Sequence, residues 1–109
     1  MNYSDVKKFD VGSKVHKRFP GQQKFKAHKP LLAELIDSVE NYVKIHRLPK
    51  PDYNIETKLI RKGDGEFQPS PEEFVETIME VIKQKKLEKR VIIQSFDIRS
   101  LQYLHKNYP

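Results

Sequence analysis

The spacing of apolar positions changes several times along this chain, and each change predicts an element. Over residues 30–46, Leu32, Leu35, Ile36, Val39 and Val43 recur at the i, i+3, i+4, i+7 interval of one buried helical stripe. Pro30 suits the first turn of that helix, and Pro49 and Pro51 stop it. Alternation then replaces helical spacing. In Asn54–Ile60, part of a strand read over 52–60, Ile55, Thr57 and Leu59 fall on one face, and Asn54, Glu56, Lys58 and Ile60 on the other. Helical spacing returns with Phe74, Val75, Ile78, Met79 and Ile82, a helix over 70–88. Ser70-Pro71-Glu72-Glu73 marks its start with a capping serine, a proline at the first helical position and a glutamate at the third. Val91-Ile92-Ile93 predicts a strand over 90–95, apolar on both faces, and Asp97 caps a helix over 97–106 that carries Ile98, Leu101 and Leu104. Near the N-terminus, Ser4 caps a short helix reaching Phe9. Residues 10–29 show no period and predict a long loop, with a short hairpin at Pro20-Gly21.

A strand, a helix and a strand joined by short turns predict a right-handed crossover and a parallel pair, so the fold class is α/β. Two strands neither close a barrel nor protect their own edges. The chain therefore reads as the middle of something larger, or as a unit that self-associates through open strand edges. Parallel strands are normally covered on both faces. The run Val91–Gln94 obeys that rule, whereas Glu56 and Lys58 break it. A carboxylate and an ammonium side by side are costly to bury unless paired or bound. If their face is covered, they serve chemistry. If it is open to water, they are a solvated edge.

Charge adds a second feature. The 109 residues carry a net charge of +6, and no acid falls between Val11 and Ala33, where Lys14, Lys17, Arg18, Lys24, Lys26 and Lys29 lie. Such a run is a solvated loop or attracts phosphate in a headgroup, nucleotide or nucleic acid. A basic α/β binding module for an anionic partner is thus the alternative function, although no nucleic-acid-binding motif supports it. The apolar share of 37% allows only a thin core. With no cysteine, disulfides and thiolate zinc sites are excluded. No apolar run approaches a membrane span, and Met1–Asp5 has no signal-peptide character, which describes a soluble chain of open compartment. Arg61–Glu66 is a mobile, glycine-containing turn without a nucleotide-loop pattern. His16, His28, His46 and His105 have no metal spacing and read as surface residues.

Four segments carry a family resemblance. Asn54-Ile55-Glu56-Thr57-Lys58 and Val91-Ile92-Ile93-Gln94-Ser95-Phe96-Asp97 with Leu101 resemble two hallmark strands of the glycerophosphodiester phosphodiesterases. Phe9-Asp10-Val11-Gly12-Ser13 resembles a loop of that family. Pro30-Leu31-Leu32-Ala33-Glu34-Leu35 resembles its Pro-Thr-Leu-Glu-Glu helix start, with Leu31 in place of the threonine and Ala33 in place of the first glutamate. The resemblance implies a portion of a (β/α)8 TIM barrel, with two parallel strands and three to four helices, about strands four and five of eight. It implies hydrolysis of glycerophosphodiesters to an alcohol and glycerol 3-phosphate, in lipid and glycerol metabolism. It also implies that Glu56 ligates a divalent metal, Mg2+ or Ca2+, that Lys58 is a catalytic residue contacting the substrate phosphate, and that Gln94 lies at the substrate. The family's two acid–base histidines, in His-Arg-Gly and His-Asp segments, and its further glutamate and aspartate ligands have no counterpart here, so the isolated chain is expected to be inactive.

Overall fold

A computed structural model describes all residues 1–109. Its elements are α1 (Tyr3–Val6), α2 (Leu32–His46), β1 (Tyr53–Thr57), a 3-10 turn (Arg61–Gly63), α3 (Pro71–Gln84), β2 (Val91–Ser95) and α4 (Ile98–Asn107). They divide between two units, 1–38 and 39–109, with the boundary inside α2.

In the first unit α1 is shorter than expected, and Asn2 rather than Ser4 stands at its cap position. The long loop holds no hairpin. Two successive turns, with Phe19 N–H donating to the His16 carbonyl (2.9 Å) and Gln22 N–H to that of Phe19 (3.2 Å), take its place. The loop is closed at its base by Asp10, whose Oδ1 accepts from the backbone N–H of Gly12 (2.9 Å), Ser13 (3.1 Å) and Ala27 (3.3 Å). The Ser13 hydroxyl donates to the other oxygen, and Val11 N–H to the Ala27 carbonyl at 2.8 Å. A side chain at Gly12 would collide with the Phe25 carbonyl, which explains a glycine there. The Ser13 hydroxyl, then the Gly12 amide, hold the Asp10 carboxyl well below the usual carboxylate range.

Helix α2 starts after Pro30, not at it. The Leu31 carbonyl accepts the first helical bond from Leu35 (3.0 Å), and the Glu34 carboxylate reaches back to the Leu31 N–H (3.2 Å). That is half of a capping box. Of the anticipated stripe, Ile36 is buried while Leu35, at its edge, is exposed.

The second unit is a β-α-β crossover followed by a helix. The strands are parallel, with Tyr53 opposite Val91 and Thr57 opposite Ser95. Strand β1 ends at Thr57 rather than Ile60, because beyond Ser95 the other strand turns into α4 and offers no partner. Residues Val75, Ile78, Met79 and Ile82 of α3 are buried as their spacing predicts, and Phe74 is half-buried. Val75, Ile78 and Met79 meet Thr57, Ile93 and Leu104 beneath the sheet. The capping box of α3 forms in both directions, with Glu73 N–H donating to Ser70 Oγ and Ser70 N–H to Glu73 Oε2, each at 3.2 Å. Helix α3 ends at Gln84, four residues short of the predicted end. Lys86 is left-handed (φ 55°) and the buried Leu87 donates its N–H back to the Ile82 carbonyl. Two expectations for the C-terminal region fail. Strand β2 is not covered on both faces, since Ile92 is 63% exposed, and α4 buries Ser100 rather than Ile98, which is exposed. At the N-terminal ends of the strands, Arg90 donates to both oxygens of Glu40 (2.8 and 3.2 Å) and to the Pro51 carbonyl, and Tyr53 OH donates to Glu40 at 2.6 Å.

Candidate functional site

The parallel pair has one packed face and one bare face. Tyr53, Ile55, Thr57, Val91, Ile93 and Ser95 are turned toward the helices and are buried or half-buried, whereas Asn54, Glu56, Ile92 and Gln94 are exposed. The bare face thus holds the residues singled out in the sequence. Glu56 lies opposite Gln94 in register, and Asn54 Nδ2 donates to Gln94 Oε1 at 3.2 Å. Lys58, the first residue past β1, places Nζ 3.9 Å from Glu56 Oε1, with the two side chains 84% and 36% exposed. In this chain the pair is therefore the solvated edge of the two alternatives, a contact of about 0–1 kcal/mol at most.

The C-terminal strand ends are fixed from below by a chain of hydroxyls. Thr57 Oγ1 lies 3.2 Å from Ser100 Oγ, both residues being essentially without exposure. Ser100 Oγ donates to the Asp97 carbonyl (2.9 Å), Ser95 Oγ donates to the Thr57 carbonyl (3.1 Å), and Asp97 N–H donates to Ser95 Oγ (3.0 Å). Ser95 thus satisfies the strand end and does not project from it.

The segment after β1 was expected to be a mobile turn and is instead tied down. The Gln68 amide pairs with both the N–H and the carbonyl of Ile60 at 3.0 Å, and donates to Asp64 Oδ1 at 2.8 Å. Arg99 Nη1 then donates to Asp64 Oδ2 (2.5 Å), while its Nε and Nη2 hold Asp97 (2.6–3.0 Å). Arg99 holds the Asp97 carboxyl down at about 2, and also lowers that of Asp64, where the Gln68 amide adds to the effect. Sequence reasoning missed this cluster. Only Asp97 carried a local signal, as a helix cap.

A hard cation takes six or more oxygen ligands, with water filling only some of the positions. No group of three or more histidine, aspartate or glutamate side chains converges anywhere in the chain, and Glu56 is the single carboxylate on the bare face. The donor set of these residues alone does not fit a complete metal site. Hollows at the C-terminal end of α2 and between α3, β2 and α4 include none of Glu56, Lys58 and Gln94. The four histidines are all exposed.

No family model matches the sequence, and none of the curated proteins matches it. The fold does have a counterpart among solved structures. A crystallised protein of Silicibacter pomeroyi DSS-3, provisionally assigned as a glycerophosphoryl diester phosphodiesterase, matches with a TM-score of 0.80 and 26% identity. The likeness is to a phosphodiesterase. It covers 100% of this chain and 37% of the Silicibacter phosphodiesterase, so the chain spans little over a third of that protein's length. The fold class is as expected, α/β with two parallel strands and four helices, corresponding to part of a TIM barrel. No helix is long and apolar enough to cross a membrane.

Proposed function

We propose that this chain is a portion of a metal-dependent glycerophosphodiester phosphodiesterase. The observation that carries the reading is the end-to-end structural likeness to the Silicibacter protein, together with Glu56 and Lys58 at the C-terminal end of a parallel strand. Active sites of (β/α)8 barrels lie at that end. In this reading Glu56 is the one carboxylate the chain offers to a divalent cation, Mg2+ or Ca2+, the remaining ligands coming from outside these residues. Lys58 supplies a fixed positive charge for the phosphodiester oxygens, and its high exposure leaves the ammonium free to reach them. Gln94, beside Glu56 on the same face, donates its amide to the substrate. The 109 residues alone are inactive, since they contain no acid–base histidine at a strand end.

The test is hydrolysis of a glycerophosphodiester by the native gene product with Mg2+ or Ca2+, followed by Glu56→Gln. The variant is expected to lose activity by about 100-fold or more, since outer-shell changes alone cost 10–100-fold at metal sites. Unimpaired metal-dependent hydrolysis would overturn the role given to Glu56.

One observation favours a second reading. The Asp10-latched loop displays Lys14, Lys17, Arg18, Lys24 and Lys26 among exposed Val15, Phe19 and Phe25. A module binding an anionic polymer would retard an oligonucleotide at low salt and release it steeply as salt rises. No retardation at low salt removes this reading.

A further inference from the structure

We propose that Arg99 is a positioning residue for Lys58, acting through a strap that runs Arg99–Asp64–Gln68–Ile60. The proposal rests on the phosphodiesterase reading for what Lys58 does, but the strap stands on geometry. A lysine that reaches a phosphate from a strand end is useful only if its backbone stays in place. The exposed side chain of Lys58 contributes nothing to that.

Its neighbours do. On one side Thr57 is buried, and its carbonyl accepts from Ser95 Oγ at 3.1 Å. On the other side Leu59 is buried, and both backbone groups of Ile60 pair with the Gln68 amide at 3.0 Å. Asp64 adds a third bond to the Gln68 amide, its Oδ1 accepting from Gln68 Nε2 at 2.8 Å. Asp64 in turn is held to the second strand-helix junction only by Arg99, at 2.5 Å. Arg99 has an anchor of its own, because Asp97 accepts from its Nε and Nη2 and from its backbone N–H, and the Asp97 side chain is 8% exposed. One planar guanidinium with donors on several edges spans two carboxylates, which an ammonium on a flexible stem does not reproduce. The loop after one strand is thereby tied to the helix cap after the next.

The experiment uses the native gene product and the variants Arg99→Met, Arg99→Lys and Asp64→Asn, each in the wild-type and the Lys58→Met background. If the strap acts through Lys58, each strap variant lowers kcat/KM by about tenfold, chiefly through KM, and costs less than about twofold once Lys58 is gone. Arg99→Lys rescues little. Amide hydrogen exchange over residues 58–68 should quicken by about tenfold or more in the same variants, with α3 unchanged. Equal losses in both backgrounds would assign Arg99 to general stability and overturn the proposal, as would unchanged exchange over 58–68. Should Arg99→Met fail to fold, Asp64→Asn, which leaves the Arg99–Asp97 anchor intact, reads the same coupling. A wild-type protein without glycerophosphodiester hydrolysis would sink the phosphodiesterase reading and the catalytic purpose of the strap. The exchange result would still decide separately whether the strap holds the mount of Lys58.

Discussion

At the scale of single residues, Asp97 carries three tasks: its carboxylate caps α4 and anchors Arg99, and its backbone carbonyl takes the Ser100 hydroxyl. Arg99 is the main cause of its depressed pKa of about 2. In the unfolded chain an aspartate titrates near ~3.9. A carboxyl depressed on folding adds stability that is complete above the unfolded value and is lost as pH falls through the folded one. Stability should therefore hold from neutrality to about pH 5, decline below pH 4 and go on declining to about pH 2. Asp64 and Asp10, also depressed, act in the same direction. Urea midpoints between pH 2 and 6 check this, and an Asp97→Asn variant should show a flatter profile. Glu56 and Lys58 were legible at this scale because they put charge on one face of a strand whose parallel pairing predicts cover on both. Arg99 was not, since its partner Asp64 lies 35 residues away and neither sits in a periodic pattern.

At the scale of elements, both long helices end in the same way. Arg47 (φ 53°) and Lys86 (φ 55°) take the left-handed position, and the next residue donates its N–H to a carbonyl of the last turn, Leu48 to Val43 and Leu87 to Ile82. A side-chain-bearing residue in that conformation costs ~1–2 kcal/mol, part of which glycine recovers despite its greater freedom in the unfolded chain. Lys86→Gly, at an exposed site, should stabilise the fold by about 0.5–1 kcal/mol, read as a higher urea midpoint with unchanged slope. A lower midpoint would show that the lysine side chain matters there. These stops carried no glycine to betray them, so the end of α3 was placed too late. Its beginning was legible because Ser70, Pro71 and Glu73 act over four residues. The end of β1 was hidden for another reason: a strand is as long as its partner permits, and β2 leaves the sheet at Ser95.

At the scale of the molecule, the second unit has a two-stranded sheet with one face and both outer edges unpaired. Ile92 (63% exposed) and, just past β2, Phe96 (87%) stand on or beside that surface. The alternation of β1 foretold its open side. The apolar run of β2 concealed its own, because an unbroken run looks the same whether or not anything covers it. The 109-residue chain is expected to self-associate through this surface, and Ile92→Lys to shift it toward monomer in light scattering. A concentrated wild-type chain that stays monomeric refutes this. At the opposite end of the strands, the Glu40–Arg90–Tyr53 cluster has a consequence in time. Arg90 and Glu40 are 50 residues apart in sequence, so their contact closes only after the whole crossover has returned on itself. Arg90→Met should accordingly leave the refolding rate of the chain nearly unchanged and quicken its unfolding, a φ-value near ~0 in stopped-flow measurements. The clip would then act as a brake on unfolding: it takes no part in assembling the fold and sets how long the fold lasts.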